Sequence, residues 1–303
     1  MKSLRIGIIG FDTSHVTAFT KILNDDKYPF HVDGGKVVAG YPSFSPDVYA
    51  SYSRIENFKR EMIEKWNVVI VDSIEKLLEI TDAILLLNVD GRRHLKEAIP
   101  VLKSKKPLFI DKPLSYNYFD AKKIAEFAKE YNCPIFSSSS LRFDYNTQQI
   151  KKEIQSKDVI GCDSFSPCPL ESTNPGLFWY GVHGVEILYT FMGIGCKSLI
   201  CKSTVNTHFV IGKWNNNKIG TIRGIRKSIV EYGATVYLKE KVYQVVYSKE
   251  IPIYSQLLME IIKFFYTGIS PVNIEETLEI MKFMQCAIIS ENKNREVFLD
   301  ELN

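Results

Sequence analysis

Arg5-Ile6-Gly7-Ile8-Ile9-Gly10-Phe11-Asp12-Thr13-Ser14-His15 reads as a buried strand running into a glycine turn. Beyond it, Val16, Phe19, Ile22 and Leu23 recur at helical spacing. Working outward, short apolar runs predict strands over 37–39, 68–71, 83–87, 108–110 and 134–136. Helical patterns fall between them over 55–65, 94–102 and 118–131, and Asp72 and Ser73 are candidate caps for a short helix through Leu78. Strands apolar on both faces and separated by helices imply a parallel sheet covered on both sides. Right-handed crossovers make it a doubly wound sheet, whose ligands bind at the carboxyl ends of the strands.

Past residue 145 the pattern changes. A helix is expected over 146–154, then strands 209–214 and 219–223 around Asn215-Asn216-Asn217-Lys218. Strands 234–238 and 242–247 flank Lys239-Glu240-Lys241, and helices are expected over 179–192, 256–266 and 275–290. The fold class is therefore α/β: a Rossmann-like domain over 1–140, then an α+β domain with a largely antiparallel open sheet over 141–303. One face of the second sheet is expected to pack on helices and the other is a candidate surface for a second subunit.

The 303 residues suit two domains, and 45% hydrophobic with 24% charged residues is an ordinary globular composition. The net charge of +3 is spread along the chain without the basic stripe that nucleic acid requires. The six cysteines include no paired C-x-x-C, so no structural zinc site is expected and the thiols are read as reduced and mostly buried. No apolar run approaches the roughly 18 residues of a membrane span, and the first apolar stretch is too short for a signal peptide. A cytoplasmic protein is the expectation.

In the turn, Gly10 supplies the tight bend of a dinucleotide fingerprint, while Asp12 and His15 replace its second and third glycines. A carboxylate at a helix N-terminus caps amides, yet it takes an anion's place. Like charges about 4 Å apart repel by about 4 kcal/mol at an effective dielectric of about 20. A capping turn and a modified nucleotide site both remain open. The expected cofactor contacts are Gly10, Phe11, Asp12, Thr13, Ser14 and His15, with Ser43, Asn88 and Asp111. The second strand ends without the ribose-binding acid, so NAD is not favoured over NADP; Ser43 or Ser45 could meet a ribose or phosphate.

Two further motifs carry chemistry. Asp111-Lys112-Pro113 follows the fifth strand, where proline restricts the lysine's backbone and a cis bond would aim it into the crevice. In Trp179-Tyr180-Gly181-Val182-His183-Gly184-Val185-Glu186, the expected helix puts Trp179 one turn from His183. Gly181 and Gly184 are expected to leave room for a ligand there. Trp179, Tyr180 and Glu186 are candidate substrate contacts, with Glu186 either orienting the imidazole or facing solvent.

These pieces in this order resemble the glucose–fructose oxidoreductase/inositol dehydrogenase/MocA family of NAD(P)-dependent oxidoreductases. "TDAILLLNVDGRRHLKEAIPVL" and the closing "FFYTGISPVNIEETLEIMKFMQCA" extend the likeness over nearly the whole chain. The resemblance implies that Lys112 touches substrate and nicotinamide and that His183 is the general acid/base. It also implies a homodimer or homotetramer joined through the second sheet. The family's Glu-Lys-Pro is Asp111-Lys112-Pro113 here, and Trp179 stands where many members carry an Asp. The expected activity is hydride transfer on a small polyhydroxylated substrate, a sugar or cyclitol derivative. The rival is a non-catalytic binding relative that has lost dinucleotide affinity.

Overall fold

The computed structural model describes residues 3–154, 159–227, 231–248 and 250–302. The chain divides into two compact units. The first holds Met1–Ser115, Phe119–Ser138 and Ile251–Ile274; the second holds Tyr116–Tyr118, Ser139–Glu250 and Glu275–Asn303.

The first unit is built on six parallel strands: β1 (Leu4–Ile9), β2 (Gly35–Tyr41), β3 (Val69–Ile70), β4 (Ala83–Leu86), β5 (Leu108–Ile110) and β6 (Ile135–Ser137). Their order is β3-β2-β1-β4-β5-β6. This is the doubly wound order whose switch point lies between β1 and β4. Ile6, Ile8 and Ile9 are fully buried because β1 is central and covered on both faces. Helix α1 (His15–Asn24) buries Val16, Phe19, Ile22 and Leu23, the stripe read from the sequence.

Connections are α2 (Tyr49–Tyr52), α3 (Ile55–Glu64), α4 (Ile74–Ile80), α5 (His94–Ser104) and α6 (Tyr118–Glu130). Ser73 caps α4 by accepting from the Lys76 amide at 3.2 Å. The chain returns to this unit as α9 (Ile253–Thr267), where Tyr254 packs against His15 and Phe19, and Phe264 against Phe136. A single division at residue 140 does not contain that return. These contacts span more than a hundred residues, which local patterning does not encode.

The second unit carries α7 (Tyr145–Glu153), α8 (Val182–Met192), α10 (Ile274–Lys293) and a seven-stranded sheet. Its strands are β7 (Val159–Pro167), β8 (Cys196–Ser203), β9 (Thr207–Trp214), β10 (Ile219–Ile225), β11 (Gly233–Leu238), β12 (Val242–Val246) and β13 (Val297–Phe298). The order is β12-β11-β7-β10-β9-β8-β13, antiparallel except for the parallel pair β7 and β10. Side chains alternate: His208, Val210 and Trp214 of β9 are buried with Ile222 of β10. Every residue of α8 is buried, and the helix packs on β7, β10 and β11 of this sheet.

Helix α8 begins at Val182, not at 179. Gly176–Phe178 forms a separate 3-10 turn, and the His183 amide bonds back to the Tyr180 carbonyl at 3.1 Å, so Trp179 precedes the helix. Among the described residues no helix is long and apolar enough to cross a membrane.

Candidate active site

The glycine turn is tied to its neighbours by backbone bonds: Gly10 N–H to the Tyr41 carbonyl and Phe11 N–H to that of Ser43, both 3.1 Å. Gly10 has φ of +88°, and a Cβ there would lie 2.6 Å from Asn88. Only glycine permits both. The Asn88 side chain donates to Ser43 Oγ at 3.0 Å, and Ser43 Oγ donates to Glu97 at 3.0 Å. Phe11 is fully buried with its ring beneath Gly40, where a Cβ would come 2.3 Å from Phe11 Cζ. Its expected cofactor contact is therefore limited to backbone.

Asp12 is 0% exposed and does not cap α1. Its carboxylate accepts from Ser51 Oγ at 2.6 Å and from the Val89 amide at 3.0 Å, joining the loops after β1 and β4 to α2. Burial pushes this carboxyl up from its ordinary range, with those two hydrogen bonds working against the rise. Ser45 is engaged in the same layer, its hydroxyl donating to Asp90 and its amide to Ser51 Oγ. The expected repulsion at the helix end is thus corrected: hydrogen-bond donors on α2 and the β4 loop draw the side chain inward.

That geometry leaves Ser14, the N-cap of α1, exposed and without a side-chain cap bond, while the Thr13 hydroxyl accepts the His15 amide at 3.4 Å. The positive end of a helix dipole suits an anion. A dinucleotide pyrophosphate fits the amides of Thr13 and Ser14 and the Ser14 hydroxyl, whereas the side chains of Phe11, Asp12, Ser43 and Asn88 are held by protein. Beyond β2 lies a cavity of about 260 Å³ lined by Ser45, Asp47, Asp90, Arg92, Arg93 and Glu97 among others. Arg92 is paired there with Asp47 and Asp90, and Arg93 with Glu97, so neither a ribose hydroxyl nor a phosphate is singled out.

At the end of β5 the Lys112–Pro113 bond is cis. Lys112 Nζ lies 3.9 Å from Asp111 Oδ2, with the lysine side chain 12% exposed. Asp111 is buried, which opposes its charge, but His15 and Lys112 beside it hold the carboxyl well below its ordinary range. His94, which the sequence reading did not single out, is wholly buried between the two loops. Its Nε2 is 2.9 Å from the Asn88 carbonyl and its Nδ1 is 3.0 Å from that of Pro113.

In the second unit, His183 Nδ1 is 2.7 Å from Ser139 Oγ, and Ser139 Oγ also accepts from the Leu141 amide. Tyr180 and Tyr232 flank the imidazole at 5.8 and 5.4 Å, and Trp179 stands edge-on to Tyr180. Burial raises the Tyr232 hydroxyl to about 12, so it stays protonated at neutral pH. Glu186 neither faces solvent nor orients the imidazole. It pairs with Arg142 at 2.8 Å, and Arg142 also reaches Glu276 at 2.6 Å. Burial works against the Arg142 charge, and the two carboxylates outweigh it. Glu186 is thus removed from the expected substrate contacts, because a buried guanidinium claims it.

The two glycines around His183 leave no room for a ligand. A Cβ at 184 would lie 2.7 Å from Ile222 Cδ1, and one at 181 would lie 2.5 Å from Leu177 Cδ2. Gly184 lets α8 approach its own sheet, and Gly181 makes room for Leu177 and Cys168. Ser51, Ser139, Arg142 and Tyr254 were missed, and only the run Ser137-Ser138-Ser139-Ser140 after the last parallel strand hinted at one of them.

No family model matches the chain. It is 24% identical to the myo-inositol 2-dehydrogenase of Thermotoga maritima over 210 residues, which is 61% of this chain and 63% of that protein. Among solved structures, a probable dehydrogenase from Thermotoga maritima superposes with a TM-score of 0.80 at 20% identity, covering 98% of this chain and all of that one. A myo-inositol 2-dehydrogenase from Lactobacillus plantarum gives 0.80 at 14% identity, covering 98% and 99%. Scyllo-inositol dehydrogenase from Lactobacillus casei, with bound NAD(H) and scyllo-inositol, gives 0.79 at 14%, covering 99% and 100%. The chain shares the fold of these dehydrogenases along nearly its whole length.

Proposed function

We propose that the protein is an NAD(P)-dependent oxidoreductase of the glucose–fructose oxidoreductase/inositol dehydrogenase/MocA type, acting on a hydroxyl or carbonyl of a sugar- or cyclitol-like substrate. The observation that carries this reading is in the first unit. The start of α1, with its exposed Ser14, and Asp111-Lys112 stand at the carboxyl ends of one doubly wound sheet, where such folds bind their ligands. The relatives that share the fold include inositol dehydrogenases.

A bound nicotinamide supplies the hydride acceptor. His183 takes the proton of the substrate hydroxyl at Nε2, because Nδ1 is engaged by Ser139. Serine suits that role: its oxygen accepts from Nδ1–H in the neutral ring, which leaves the Nε2 lone pair for the substrate proton, and again in the imidazolium. The Lys112 ammonium holds the substrate oxygen and stabilises charge developing there. A homodimer or homotetramer in the cytoplasm, with its six buried cysteines reduced, completes the reading.

The test is nicotinamide reduction across a panel of cyclitols and aldoses. Lys112→Ala and His183→Ala each lower turnover by about 10²-fold or more. If both act on one oxygen, the double variant loses little more than either single one. Near-normal turnover in either single variant removes that residue from the mechanism. A second reading, a binding relative without dinucleotide affinity, draws on the burial of Asp12, Ser43 and Asn88 under protein. It predicts no NADH binding at millimolar concentration.

A further inference from the structure

The histidine at the third glycine position of the turn has no place in a pyrophosphate cradle. Its ring stacks on Phe19, 5.0 Å between centroids, and Nε2 lies 3.1 Å from the Tyr254 hydroxyl of α9. Nδ1 lies 2.8 Å from Asp111 Oδ2. That oxygen is also the one nearest Lys112 Nζ, at 3.9 Å, beyond hydrogen-bond reach. One carboxylate oxygen therefore faces two cationic or donor groups from two elements, and the imidazole holds the shorter contact. The remaining support of Asp111 comes from the Lys112 backbone amide.

We propose that His15 is a positioning residue for Lys112, occupying Asp111 so that the lysine ammonium does not collapse onto it. This rests on the reading of Lys112 as the group that holds the substrate oxygen. An ammonium and a carboxylate left together in a buried site form a direct charge-assisted bond. Such a bond stabilises the charged lysine and directs its protons away from a substrate. With His15 in place, Asp111 remains ionised and attracts Lys112 at 3.9 Å, which aims the side chain without a direct Asp111–Lys112 hydrogen bond. The groups facing His15 include Asp111 and Lys112 from the β5 end, and Tyr254 from α9. The role explains why a large ring stands where the fold usually has hydrogen, and it assigns His15 to the reacting end instead of to the cofactor.

The test measures Lys112 itself. Trace labelling with acetic anhydride across pH, read by mass spectrometry on the Lys112 peptide of the full-length protein, reports its proton affinity and reactivity. His15→Phe keeps a ring on Phe19 and removes the nitrogens; it is expected to slow Lys112 labelling at neutral pH about tenfold. In an Asp111→Asn background the same exchange is expected to change labelling less than twofold, which a merely structural histidine would not produce. NADH affinity in His15→Phe stays within about twofold of the wild type, whereas a cofactor contact would weaken it. Should His15→Phe fail to fold, His15→Gln carries the same comparison. An unchanged Lys112 labelling curve in the folded variant overturns the proposal. Loss of the broader reading is separate, because it appears as undiminished turnover in Lys112→Ala.

Discussion

Asp12 shows how one side chain can look like an obstacle in sequence and act as a tie in the fold. Its carboxylate serves Ser51 and Val89, so truncation leaves a buried hydroxyl and a buried amide without their acceptor. Asp12→Ala is expected to cost about 1–3 kcal/mol in denaturant unfolding. Because burial raises this carboxyl, the folded state holds its proton more tightly than the unfolded chain. The charge therefore lowers stability as pH rises above the ordinary carboxylate range. Asp12→Asn, which keeps an acceptor and carries no charge, should unfold at least as late as the wild type at neutral pH and lose that advantage in acid. Asp12→Gly should not tighten NADH binding, since the carboxylate is turned away from α1. At His183, Ser139→Ala is expected to lower kcat about tenfold with KM within about twofold, and Ser139→Thr to restore it, measured by steady-state turnover. A fall confined to KM would place Ser139 in substrate binding instead.

Between elements, two close approaches set the frame. Arg5 at the start of β1 forms a two-point contact with Asp82 just before β4, and the Asp82 amide returns a bond to the Arg5 carbonyl. The hydrogen bonds from Arg5 lower the Asp82 carboxyl to about 2, against the opposing effect of burial. A depressed carboxyl adds stability above its unfolded pKa and loses it as pH falls through the folded one. The difference in melting temperature between wild type and Asp82→Asn that comes from this charge should therefore be present at pH 5 and mostly lost by about pH 2. In the second unit, Gly184→Ala gains about 1 kcal/mol of helix propensity. It meets Ile222 and Ser166 at under 3 Å, an overpacking that costs about 1–3 kcal/mol. Net destabilisation is expected, with Ile222→Val relieving it; a stabilised Gly184→Ala would mean that α8 sits further from its sheet. The helix start at Val182 escaped the sequence because Trp179 and Tyr180 fit the apolar pattern while the backbone bonds there are those of a turn.

For the molecule as a whole, the parallel sheet was legible because its strands are apolar on both faces, so composition alone marks them. The sheet of the second unit was legible only at its hairpins. Strands such as β7 and β8 put Ser and Cys on their buried face and Asp163, Lys197 and Lys202 on the exposed one, which blurs the apolar pattern, and β13 has two residues. Lys112 and His183 stood out by motif, but their supports did not. Ser139 is 44 residues from His183, and Tyr254 is 239 residues from His15. No local spacing encodes such pairs, whereas packing does. The claim on which the functional account depends is that the start of α1 receives a dinucleotide phosphate. Titration with NADH, followed by energy transfer from tryptophan, tests it in the wild type and in Ser14→Asp, which puts a negative charge at that exposed helix end. The account predicts saturable binding by the wild type and at least about tenfold weaker binding by the variant. Equal affinity in the two proteins, or no binding by either at millimolar NADH, would contradict it.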